Sequence, residues 1–400
     1  MTRFLVLAAT GLLGGAAVSE GRAGDFLWTA PVIIGAAFLI AWGAEAAQFM
    51  MSQGLALAVL ALLQTLPEFA VEATLAWDAA RDPSGESNKF VTANFTGSIR
   101  LLMGFGMPVV FFIHFFTHKG PARRVIDLDT FHSVEVVSLF PATVYFFFIV
   151  YRGKLDLLDA VVLLAFYVMY MGLLLKMPAE EEGESIEELP FVARQVLKRG
   201  RVGRIVGVTL IFLLGGLLLY VCVHPFVESM KAVAFKIGIS SFIVMQWIAP
   251  FLSEFPEKLS AFNWARQPNK AKLGLMNFVS SNINQMTMLV AMIPIVYAIS
   301  GGQVRPVIFD AHQREEVLLT ACQAALCMVL LFNMKFEWWD AVGMFVLWGA
   351  QAVLPSLRGP MIWIYVGWIV LEIFLAMIGY RKWSFPLRLG KDSQRFLKAR

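Results

Sequence analysis

Apolar stretches without a single charged residue recur along this chain, and some are long: Phe26–Ala44, Ile205–Val223 and Gly274–Val304. The hydrocarbon core of a bilayer is about 30 Å thick, which a helix crosses in roughly 20 residues. In lipid every backbone N–H and C=O must find its partner within the protein, so such runs fold as spanning helices. Composition agrees: 58% of the 400 residues are hydrophobic and 16% are charged, against roughly a quarter charged in soluble domains. The fold class is therefore an all-α polytopic membrane protein. No Lys/Arg cluster interleaved with aromatics points to nucleic acid. The partner that this composition implies is the lipid bilayer.

Residues 1–22 carry Arg3 and then the apolar run Phe4–Val18, which reads either as a signal peptide or as an extra span. Spans are then predicted near 26–50, 53–78, 90–116, 131–151 and 155–176. A polar linker, 177–204, turns from acidic (Glu180, Glu181, Glu182, Glu184, Glu187, Glu188) to basic (Arg194, Lys198, Arg199, Arg201, Arg204), as a solvated amphipathic connector does. Further spans are predicted near 205–229, 237–262, 273–300, 315–334, 339–356 and 361–380. Basic residues favour one set of loops: Lys119, Arg123 and Arg124, the end of the linker, Arg266, Lys270 and Lys272, and the tail from Arg381. The positive-inside rule makes that set, and with it the C-terminus, cytoplasmic. The expected residence is the plasma (inner) membrane.

The two halves repeat each other. Pro67 matches Pro256 at an offset of 189, Asn94-Phe95-Thr96-Gly97-Ser98 matches Asn277-Phe278-Val279-Ser280-Ser281 at 183, and the Lys154–Val161 segment matches Lys335–Val342 at 181. Five spans precede the linker, an odd number, so the second half enters the membrane inverted. The predicted architecture is an inverted five-plus-five repeat, 26–176 and 205–356, with one additional C-terminal helix and a basic tail in 357–400. In such folds the substrate site lies near mid-membrane, where discontinuous helices meet.

Proline removes a donor and crowds the preceding helical turn, and an acid at membrane depth is a functional candidate by default. Leu66-Pro67-Glu68 and Phe255-Pro256-Glu257 combine both features, once in each half. Thr65, Glu68 and Glu72 share one helix face, as do Ser253 and Glu257, Asn94 and Ser98, and Asn277 and Ser281. An all-oxygen set of this kind suits a hard cation such as Ca2+. Taken singly, each glutamate could be an exposed acid in a first helical turn, and each Asn or Ser could be interhelical glue; the matched pair of glutamates favours the ion site. Cys222, Cys322 and Cys327 lie in apolar runs as packing residues. The five histidines (His114, His118, His132, His224, His312) show no spaced metal pair.

Gly238-Ile239-Ser240, Ser253–Glu257 and Asn277–Asn282 together resemble the second α-repeat of the cation/calcium exchanger superfamily, and Gln64–Glu68 with Asn94–Ser98 resembles the first. The resemblance implies five-plus-five inverted helices and exchange of Ca2+ against Na+ or H+ by alternating access. It implies no enzyme activity and no cofactor, the ions being transported species. The family's two repeat glutamates match Glu68 and Glu257. Its flanking hydroxyls match Thr65 and Ser253, and its amide and serine positions match Asn94, Ser98, Asn277 and Ser281. The chain departs from the pattern at Ile99, where the family has Asn, followed by Arg100, and at Lys258. If Arg100 points into the site it repels a divalent ion; if it pairs with Glu72 the site keeps two negative charges. A tethered cation of this kind motivates an alternative, a passive channel or ion sensor that kept the fold and lost exchange.

Overall fold

The computed structural model describes residues 23–381 except 51–61, 64, 84, 129–132, 176–185, 187 and 188. The predicted leader, the first part of the 53–78 span, the acidic part of the linker and the tail beyond 381 lie outside the described residues. The described chain is helical: α1 Phe26–Gln48, α2 Leu66–Arg81, α3 Ser87–Leu101, α4 Met107–Thr117, α5 Ser133–Arg152, α6 Leu157–Leu174, α7 Phe191–Leu197, α8 Arg201–Ile237, α9 Ser241–Ser253, α10 Phe255–Arg266, α11 Ala271–Asn284, α12 Val290–Gly301, α13 Ala311–Leu331, α14 Trp338–Val353 and α15 Arg358–Met377. Among the described residues, seven stretches are long and apolar enough to cross a membrane: Ala23–Gln48, Ser87–Thr117, Ser133–Arg152, Leu157–Leu174, Arg201–Ile237, Ala271–Gly301 and Pro355–Met377.

The predicted span 237–262 is two helices, α9 and α10, with the break at Glu254. Pro67 and Pro256 each sit at the second position of the helix they open, where an N–H has no intrahelical acceptor to lose. The prolines therefore start helices and do not kink them. α3 runs into α4, and α11 into α12, through five residues of π-helix, Leu102–Gly106 and Gln285–Leu289. Both interruptions fall at the offset of 183 found between the Asn/Ser motifs. A π-turn holds one extra residue in the ladder and is frequent at functional sites.

The chain divides into two compact units, each drawing on both halves of the sequence. The first comprises 23–95, 171–257 and 296–303 of the described chain; the second comprises 96–170, 258–295 and 304–381. In the first, α8 lies along α1 and also packs on α2 and α9, while α9 packs on α2. Small residues permit the close approach of α1 and α8: a Cβ at Gly215 would meet Ile40 Cγ1 at 2.9 Å. Thr29 and Ser229 share a buried hydrogen bond of 3.0 Å across the same seam. The described basic part of the linker is not simply solvated. Leu189, Ala193, Val196 and Leu197 are buried against Ala46, Ala47 and Val208, so α7 docks its apolar face on α1 and the start of α8.

In the second unit α13 packs on α5 and α15, and α14 on α4. Two short antiparallel ladders tie the repeats together crosswise. β1 (Val125–Asp127) pairs with β4 (Lys335–Glu337), and β2 (Lys154–Leu155) pairs with β3 (Val307–Ile308). The details repeat at the offset of 181. Gly153 and Met334 both take a positive φ, 64° and 58°. Phe309 N–H donates to Gly153 O at 3.0 Å, and Leu128 N–H donates to Met334 O at 2.9 Å. Asp159 accepts from Asp156 N–H at 2.7 Å, and Asp340 accepts from Glu337 N–H at 3.0 Å.

Candidate cation site

Glu68 and Glu257 are each the third residue of a helix, one position after its proline, in α2 and α10. The N-terminal turn carries the positive end of the helix dipole and favours a carboxylate. An exposed acid in a first turn would need no further explanation, but Glu68 is 0% and Glu257 3% exposed. Both belong to the first unit, where α9, which leads into α10, packs against α2. Glu72 stands one turn after Glu68 on the same face and is equally buried.

The hydroxyls ahead of each proline are fixed by local backbone. Thr65 Oγ1 donates to Leu62 O at 2.9 Å, and Ser253 Oγ donates to Ala249 O at 3.1 Å. Each oxygen keeps lone pairs, because a hydroxyl donates once and accepts twice. Both side chains are buried. Asn94 on α3 donates through Nδ2 to Glu72 Oε2 at 2.7 Å. Glu72 Oε1 and Asn94 Oδ1 are buried acceptors with no hydrogen-bond donor, an arrangement that is costly unless a cation or proton satisfies it. The structure thus joins Asn94 to Glu72, a residue that the motif-based site set omits. Its signal in the sequence is the four-residue spacing from Glu68.

Ser98, Asn277 and Ser281 fall in the second unit; Ser98 and Ser281 are buried and Asn277 half-buried. Arg100 follows neither expectation. Its guanidinium, fully buried, pairs with Glu316 on α13, donates to Gln351 Oε1 at 3.1 Å and donates through Nε to Thr96 O at 3.1 Å. Glu316 also pairs with Arg358 at the start of α15. Gln323 and Tyr365 complete the network, Gln323 Nε2 donating to Arg100 O at 3.0 Å and Gln351 Nε2 to Tyr365 OH at 3.0 Å. The reason is chemical: an arginine offers five donors in a fixed fork, and Glu316, the Gln351 amide oxygen and Thr96 O together answer more of them than a single carboxylate can. Glu372, near a span end, pairs with Arg381 at 3.0 Å.

The buried side chains of Thr65, Glu68, Glu72, Asn94, Ser253 and Glu257 in the first unit offer oxygens of carboxylate, amide and hydroxyl type, the chemistry of a hard-cation site. A family model described as sodium/calcium exchanger protein matches residues 23–176 and 207–357. The crystal structure of the H+/Ca2+ exchanger CAX is similar at 30% identity and a TM-score of 0.88, over 100% of this chain and 98% of that one. The structure of native YfkE (15% identity, TM-score 0.62, 88% of this chain and 98% of that one) is similar in fold. So is that of the sodium-calcium exchanger NCX_Mj (16%, 0.51, 83% and 97%). Comparison with curated proteins yields no match. With matched motifs, matched π-turns and a family model covering both halves, this chain belongs to the sodium/calcium exchanger protein family.

Proposed function

We propose that the protein is a secondary cation antiporter that carries Ca2+ against protons, with Glu68 and Glu257 as the carboxylates that bind the ion directly. The observation that carries this reading is the pair of buried glutamates, each directly behind a helix-opening proline in the same compact unit. Thr65 and Ser253 supply hydroxyl oxygens. Asn94 orients Glu72 and leaves one amide oxygen and one carboxylate oxygen as further acceptors. Ser98, Asn277 and Ser281 remain assigned by resemblance to the family motifs.

Two carboxylates are neutralised equally by one Ca2+ or by two protons, so the two species compete for the same oxygens and each drives the other off. Protons are favoured over Na+ as the counter-ion by similarity, over the whole chain, to the H+/Ca2+ exchanger CAX. The passive alternative draws on Arg100 and Lys258 as tethered cations; Arg100 pairs with Glu316, while Lys258 is buried directly after Glu257 and keeps that alternative in view. The cytoplasmic C-terminus rests on the loop charges alone.

Uptake of radiolabelled calcium into proteoliposomes tests the proposal. An inside-acid gradient should drive accumulation without Na+, and Glu68→Gln and Glu257→Gln should each reduce it to the empty-vesicle level while the protein still reconstitutes. Accumulation that needs Na+, or that survives either substitution, would overturn it.

A further inference from the structure

Outside the motif helices' buried acids, the first unit gathers three potential metal ligands. Asp78, near the end of α2, meets His224 and Glu228 of α8, and one ligand atom from each lies within 4.8 Å of the other two. His224 is exposed, while Asp78 and Glu228 are half-buried. His224 and Glu228 are four residues apart on a helix and project from one face. His224 follows directly on the uncharged run Ile205–Val223, so the group stands at the end of the apolar part of α8. Histidine spacing along the sequence does not reveal the group, because Asp78 comes from a helix 146 positions before His224.

We propose that Asp78, His224 and Glu228 form a second metal site, distinct from the Glu68/Glu257 site, that takes a borderline transition ion of the Zn2+ class. Ligand chemistry sets the class. Ca2+ and Mg2+ take oxygen donors, whereas Zn2+ accepts imidazole nitrogen and carboxylate oxygen together, with three protein ligands and an open fourth position in catalytic-type sites. Tetrahedral Zn2+ with bonds of about 2.0–2.2 Å needs ligand atoms roughly 3.4 Å apart, so the three atoms close by little more than an ångström. Side-chain rotation supplies that, because all three side chains reach solvent or are only half-buried. A water would fill the fourth position.

The same geometry contains its own competitor. Lys231 Nζ lies 2.6 Å from Glu228 Oε1 and over the Phe90 ring at 5.4 Å. Arg81, one turn after Asp78, stacks on Trp77 at 5.1 Å. A bound metal displaces the Lys231 ammonium from Glu228 and joins α2, which begins with Pro67-Glu68, to α8. Occupancy would therefore staple the motif helix to its neighbour; that consequence for exchange rests on the function proposed above, whereas binding itself does not.

The test uses the full chain in detergent, titrated with Zn2+ against a chromophoric chelator. One site is expected, retained in a Glu68→Gln/Glu257→Gln double variant and unaffected by millimolar Ca2+. His224→Ala and Asp78→Asn should each weaken it by at least what loss of an outer-shell partner costs, about 10–100-fold, and Lys231→Ala should tighten it. All three positions are at least partly exposed, and unchanged melting temperatures without zinc verify folding. Absence of zinc binding, unchanged affinity in His224→Ala and Asp78→Asn, or loss of the site in the double variant would overturn the proposal. Zinc that binds as expected without slowing calcium counterflow would leave the site standing and remove only the staple.

Discussion

Glu316 is one carboxylate facing two arginines, Arg100 and Arg358, with His312 Nε2 at 3.7 Å. Breaking a buried ion pair from one side costs more than never having made it, because the surviving charge stays desolvated. Glu316→Gln leaves two guanidiniums facing an amide; its expected cost is about 3–5 kcal/mol, read as a lowered thermal midpoint in detergent. Arg100→Ala should lower stability and leave Ca2+ affinity within experimental scatter. A rise in affinity would return that arginine to the ion site. Arg100 was visible in the sequence as an intruder two residues after Ser98, but its partner was not. The two lie 216 positions apart, and no local spacing encodes such a contact. Glu68 and Glu257 stand out as candidates in the sequence because proline marks the position and a second copy repeats it, and both are buried.

At the scale of elements, the turns before α6 and α14 are built alike and differ in load. Asp340 accepts one backbone N–H and faces Arg381 at 3.6 Å. Asp159 accepts the equivalent N–H and also bonds Arg152 at 2.7 Å and Tyr145 at 2.8 Å. Replacing a capping carboxylate by alanine costs about 1 kcal/mol, so Asp340→Ala should lower the melting temperature slightly and Asp159→Ala distinctly more. Equal shifts would mean that the extra partners contribute nothing. The α1–α8 seam offers a sharper test. Gly215→Val puts a branched side chain where a single carbon already meets Ile40 at 2.9 Å, and overpacking costs typically 1–3 kcal/mol. The repeat behind α6 and α14 was readable as Lys154–Val161 against Lys335–Val342. The ladders beside it were not, since strands of two or three residues carry no alternation to detect.

For the whole molecule, the division into compact units does not follow the halves of the sequence. It passes through α3 between Phe95 and Thr96 and through α10 between Glu257 and Lys258. The matched motifs are readable because copied residues can be counted, while the compact units depend on which helices pack, which periodicity within one span does not report. A ligand that binds only the native state stabilises it by an amount fixed by its concentration, about 2.7 kcal/mol at a hundred times Kd. Calcium at that excess should raise the melting temperature of the wild-type chain and leave Glu68→Gln and Glu257→Gln unmoved; a rise in both variants would locate its binding elsewhere.

The crosswise ladders also set an order of events during synthesis. β1 and β2 are made early and have as partners β4 and β3, which leave the ribosome about 210 residues (335 − 125) and about 150 residues (307 − 154) later. Translation proceeds at roughly 5–20 residues per second, so for many seconds both early edges must wait with their backbone groups open to water. A nascent first half released before Val307 is translated should be a target for proteolysis at Val125–Asp127 and Lys154–Leu155, and co-expression of the missing half should protect both.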